Sequence, residues 1–81
     1  MKKIPDWFRG TVYKEGGEVR NSFSGEKCKL NAEELSMYDF IMGAQLIMEM
    51  GAGNEQSIME MRRGLDWFRE NNIKAYKTLL D

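Results

Sequence analysis

Residues 31–61 read NAEELSMYDFIMGAQLIMEMGAGNEQSIMEM, and their reading decides the fold. Asn31 is a helix N-cap, and Glu34, three residues on, completes a capping-box-like pair. The helix that starts there is expected to run to about Met50, where Gly51-Ala52-Gly53 ends it. A second start follows at either Asn54 or Ser57, of which Ser57 with Glu60 forms the better box. That helix reaches about Glu70. Ile-Met-Glu-Met, which occurs at 47–50 and again at 58–61, therefore marks the two sides of a corner. So short a glycine-rich connection makes the two helices antiparallel neighbours.

The two helices differ around their circumference. At 100° per residue, Ile58, Met61, Leu65 and Phe68 make one apolar stripe opposite Arg63, Asp66 and Glu70, as on a surface helix resting on one neighbour. Trp67 and Met59 fall on the flanks of that stripe. The earlier helix has Met37, Phe40, Ile41, Ala44, Ile47 and Met48 in one sector. Leu35, Met42 and Leu46 form a second stripe nearly opposite, with Tyr38 to one side. Only Ser36, Asp39, Gln45 and Glu49 are polar there. A helix apolar on two faces must be covered on both. A second copy packed by twofold symmetry on Leu35, Met42 and Leu46 is the simplest cover, so a homodimer is expected.

Outward from this pair the signals are shorter. Asn71-Asn72 interrupts the second helix, and Ile73, Tyr76, Leu79 and Leu80 mark one face of a short last helix. Before residue 31, Gly16-Gly17 lies between the β-prone runs 11–15 and 18–21, a hairpin signal. In that register Tyr13 faces Arg20, and Val12 and Val19 share the other side. Asn21-Ser22-Phe23-Ser24-Gly25 is a second turn cluster. Lys27 to Leu30 is a possible third strand with Cys28 and Leu30 inward. Pro5 and Gly10 bracket a single helical or 3₁₀ turn. The expected fold class is α+β in one domain, 1–81. Its residues 1–30 form a β-hairpin or three-stranded antiparallel sheet. Residues 31–81 form an antiparallel helical hairpin and a short C-terminal helix.

Bulk composition narrows the functions. A chain of 81 residues has a thin core and marginal stability. Its single cysteine allows no internal disulfide, and the absence of histidine excludes His-based zinc sites and Ser-His triads. Association is the remaining route to stability. No apolar run reaches signal-peptide or membrane-span length, so a cytoplasmic location is expected. Net charge is −1, unevenly spread: residues 1–30 carry seven basic against four acidic groups, while 31–54 carry four acids and no base.

The individual motifs reduce to ordinary roles. Met48 and Met50 point about 200° apart on a helix, as do Met59 and Met61, so neither pair chelates a soft metal. Asp-Trp-Phe-Arg at 6–9 and 66–69 has flanks that do not align and is no internal repeat. Its tryptophans, Trp7 and Trp67, and Tyr13 are the candidate contacts for a partner protein. Ser24-Gly25-Glu26-Lys27 lacks the glycine spacing of a phosphate loop. Lys14, Arg20, Lys27 and Lys29 beside Tyr13 and Phe23 are the alternative, a single-stranded nucleic-acid face. Asp39, between the two apolar stripes, is expected to be partly buried with a raised pKa. No nucleophile–base pair, cofactor site or metal site is visible, so catalysis is not expected.

Three stretches carry a family resemblance. They are Asn21-x-Phe23-Ser24-Gly25-Glu26, then Leu35 to Ala44, then Gly64-Leu65-x-Trp67-Phe68-x-x-Asn71-Asn72-x-x-Ala75-Tyr76. Together they resemble small uncharacterised proteins of tailed phages, notably marine cyanophages. The resemblance implies a setting in the infected bacterial cytoplasm and an accessory role. It brings no catalytic or ligand residue.

Overall fold

The computed structural model describes residues 4–80; Met1 to Lys3 and Asp81, counted in the domain span and charge totals above, lie outside the described residues. The order is β1 (Gly17–Arg20), β2 (Lys27–Leu30), α1 (Ala32–Glu49), α2 (Glu55–Asn71) and α3 (Ile73–Leu79). This is the expected α+β arrangement, built on a two-stranded antiparallel sheet. Gly17 pairs with Leu30, Val19 with Cys28 and Arg20 with Lys27.

The hairpin turns at the second turn cluster, not at Gly16-Gly17. Asn21 explains why. Its Oδ1 accepts from the amides of Phe23 (2.8 Å) and Ser24 (3.3 Å). Its own amide donates to the Glu26 carbonyl, and the Gly25 amide donates to the Asn21 carbonyl, both at 2.8 Å. Gly25 supplies the positive φ, 78°, that closes the loop. Gly16 is needed for a different reason. A Cβ there would lie 2.1 Å from the Leu30 carbonyl oxygen, so this position admits only a residue without a side chain. Residues 11–15 consequently form no strand, and Tyr13 does not face Arg20. They run along α1, where the Tyr13 amide donates to Ser36 Oγ at 2.9 Å.

The helix starts are set by asparagines. Asn31 Oδ1 accepts from the Glu34 amide (2.8 Å) while Glu34 Oε1 accepts from the Asn31 amide (2.9 Å), so the capping box is complete. Gly51, with φ 78°, ends the α1 corner. Asn54, not Ser57, caps α2, accepting from the Ser57 amide at 2.8 Å. The Ser57 box fails because its acid is occupied: Glu60 Oε1 accepts from Arg9 at 2.7 Å. Asn72 ends α2 and caps α3, its Oδ1 accepting from the Ala75 amide at 3.0 Å.

One core gathers Leu30, Met37, Ile41, Trp67, Phe68, Ala75 and Leu79. The helices α1 and α2 approach closely at Gly64, where a Cβ would stand 3.0 Å from Met37 Sδ and 3.2 Å from Ile41 Cγ1. On α3 the buried residues are Ala75 and Leu79, and Ile73, expected on the inner face, is exposed. Trp67, expected on a flank, is 8% exposed and belongs to the core. The reason is α3, which folds back on α2 and covers the flank that a plot of α2 alone leaves open.

Glu34 joins these pieces. It is 8% exposed, and its second oxygen accepts from Asn72 Nδ2 at 3.1 Å. One carboxylate thus serves the start of α1 and the α2–α3 break. Hydrogen bonds to a buried charge contribute about 1.5–3 kcal/mol each. Glu34→Ala is expected to lower the unfolding free energy by about 3 kcal/mol in urea titrations. A double-mutant cycle with Asn72→Ala should give a coupling above about 0.5 kcal/mol. Strict additivity would disprove the link.

Candidate interaction surface

The C-terminal half of α1 is where apolar side chains remain uncovered. Near its start, α1 is enclosed: Met37 and Ile41 are buried, and Leu35 is packed against the core. Phe40 is held edge-on by Trp7 and Phe8 of the N-terminal turn, with ring centroids 6.1 and 5.2 Å away. Beyond Ile41 the cover is incomplete, and Met42 and Gln45 only line an open groove facing Arg20 and the hairpin turn. Met42, Leu46 (58% exposed), Ile47 and Met50 (74%) face outward. They span an arc of about 140° that includes Gly43. A Cβ at Gly43 would meet nothing within 4 Å.

The open arc therefore differs from the expected stripe. Met42 and Leu46 belong to it, but Leu35 is largely covered by its own chain, Gly17 lying beside it. Ile47, assigned by periodicity to the core sector, takes its place on the outside, lining an open groove that faces Ser57 and Glu60 of α2.

The other candidates are scattered. Trp7 is half-buried against Phe40. Tyr13 is partly exposed, and its hydroxyl donates to Asp39 Oδ2 at 3.0 Å. Trp67 is not available to a partner, being in the core. Lys14, Arg20, Lys27 and Lys29 are all exposed. Register puts Arg20, Lys27 and Lys29 on one sheet face together with Glu18, whose carboxylate lies 3.9 Å from Lys27. Lys14 and Tyr13 are outside the sheet, and of the two aromatics expected beside these bases only Phe23, at the hairpin tip, stays near Arg20.

Phe23 is the residue that periodicity could not single out. It is 99% exposed at the hairpin tip. Its signal in the sequence is an aromatic placed inside a cluster of turn formers, where no core can reach it.

The carboxylates near α1 are engaged rather than poised. Asp39 is exposed, not partly buried, and the bond from Tyr13 raises that phenol's pKa above its ordinary 10.0. Arg9 beside Glu60 holds its carboxyl below the usual 4.5. Burial raises Tyr38. Among the described residues no three of His, Cys, Asp and Glu group as metal ligands, and no helix is long and apolar enough to cross a membrane. No protein-family model, curated protein or solved structure matches the chain.

Two titrations check these contacts. Asp39→Asn should return the Tyr13 phenol toward 10.0 in an ultraviolet titration referenced to Tyr13→Phe; no movement would mean the bond is not formed in solution. The Arg9–Glu60 pair contributes stability above the ordinary Glu value of 4.5, lost as pH falls through the lowered folded value. Wild type should therefore lose more stability than Glu60→Gln on acidification.

Proposed function

We propose that this chain is a small interaction protein that acts as a homodimer and engages another protein, in the accessory repertoire of a tailed phage within the host bacterial cytoplasm. The observation that carries the reading is the open arc on α1. Met42, Leu46, Ile47 and Met50 stand exposed on one rigid helix, next to each other in space. Contiguous apolar patches on a small domain mark interaction sites, whereas single exposed apolar residues do not. Burying such side chains contributes about 1.5–3 kcal/mol each, large against the marginal stability of a domain this size. The partner in the dimer is the second copy, because twofold symmetry sets the same apolar arc on both sides of the seam, each covering the other.

Leu46→Asp and Ile47→Asp alter positions outside the core, so both variants should keep the helical far-ultraviolet spectrum of the wild type. Sedimentation equilibrium should give a dimer for wild type and a monomer for each variant. A wild-type chain that stays monomeric at high concentration would overturn the proposal. Loss of folding in the variants would place these side chains inside the chain's own core instead.

A further inference from the structure

The hairpin tip is built to hold an aromatic ring in solvent. Asn21 Oδ1 fixes the amides of Phe23 and Ser24, and Asn21 Nδ2 donates to the Thr78 carbonyl at 2.7 Å. The loop is thereby tied to the end of α3 and cannot fold its ring away freely. An exposed aromatic on a backbone already fixed by hydrogen bonds loses less freedom on binding than one on a free loop, which suits an interface anchor.

Beside Phe23 lies a groove of about 220 Å³ between the hairpin, α1 and the end of α3. Tyr38, Met42, Leu79 and Leu80 give it apolar walls. Arg20 is the one charged side chain lining it. Arg20 is exposed and makes no ion pair among the described residues. Glu18, the acid nearest in register, is turned to Lys27. Lys77, on the last turn of α3, adds positive charge at this end of the molecule. The groove thus combines an aromatic rim, partly apolar walls and a guanidinium that makes no ion pair among the described residues. A guanidinium in that setting selects a carboxylate, which it can hold through two parallel hydrogen bonds.

We infer that the hairpin tip and this groove form a docking site for an acidic–apolar segment of a partner protein, in which a bulky apolar side chain sits against Phe23 and a neighbouring Asp or Glu meets Arg20. The inference rests on the reading of the chain as an interaction protein and supplies the chemistry of what it engages. The site lies within one copy, and Met42 is shared between its wall and the open arc of α1.

The probe is an N-acetylated, C-amidated, fluorescein-labelled peptide in which aspartates alternate with phenylalanine and leucine. Its fluorescence anisotropy should saturate with wild type and weaken as salt rises. Arg20→Glu and Phe23→Ala should each lower the affinity about tenfold or more, the scale of one lost charge-assisted hydrogen bond or anchor. Lys14→Ala, away from the groove, should leave it unchanged. A peptide with lysine in place of aspartate should not bind. Absence of binding, equal binding of the lysine peptide, or insensitivity to Arg20→Glu each overturns the site. Those results leave the dimer untouched, and a monomeric wild type that still binds the peptide would overturn the dimer alone.

Discussion

The carboxylate of Glu34 is the constraint on which the arrangement of elements turns. It closes the capping box at the start of α1 and, through its other oxygen, holds the side chain of the residue that both ends α2 and begins α3. A buried charge is tolerable only when its acceptor positions are filled. Here the filling groups belong to two junctions far apart in sequence. The junction between β2 and α1 must therefore meet the α2–α3 break. Once it does, α3 lies across α2 and β2, Trp67 is enclosed, and Thr78 comes within reach of Asn21. Local capping and global closure are satisfied by one group.

The same closure leaves α1 unevenly covered. Its first half is locked from three sides: by the carboxylate network, by the segment at Tyr13 that bonds Ser36, and by Trp7 and Phe8 against Phe40. Its second half packs on α2 and otherwise only lines open grooves, with residues 9–11 on one flank and the hairpin tip and the end of α3 on the other. A chain of this size has too few elements to enclose an eighteen-residue helix along its whole length. The open arc follows from the geometry of closure rather than from any local weakness of the helix.

What the sequence discloses divides by the range of the interactions. The capping box, the glycine corner and the asparagine break are set by contacts within four residues, and all are legible. The hairpin is legible as an element but not in its place. Two turn signals lie five residues apart, and each has suitable glycines. The choice falls to Asn21–Gly25 because Gly16 is consumed by the approach of its backbone to Leu30, a contact no local rule contains. Trp67 and Leu35 fail for a related reason, since a helical plot knows the direction of a side chain but not which later segment returns to cover it. Ile47 fails in the opposite sense: its direction matches the core sector, but residues 9–11 and the start of α2 leave an open groove beside it. Phe23 has a composition signal only, and its isolation at the tip emerges once the turn is placed.

The charge on α1 bears on how two copies would meet. The helix carries Asp39 and Glu49 on or near its open side and no base. A parallel pairing would set like acids side by side and align two helix dipoles, both unfavourable. An antiparallel crossing centred on Gly43 avoids this. Asp39 of one copy then stands opposite Ile47 of the other, and Leu46 opposite Phe40. The two Asp39 carboxylates are about 12 Å apart along the axis at 1.5 Å per residue, beyond the screening length at physiological salt. Gly43, with nothing over its Cα, allows the backbones to come close at that point. The C-terminal end of α1, which has no basic residue in its last turn, would also lie nearer the positive end of its neighbour. Charge thus favours the antiparallel one of the two orientations open to a twofold pair.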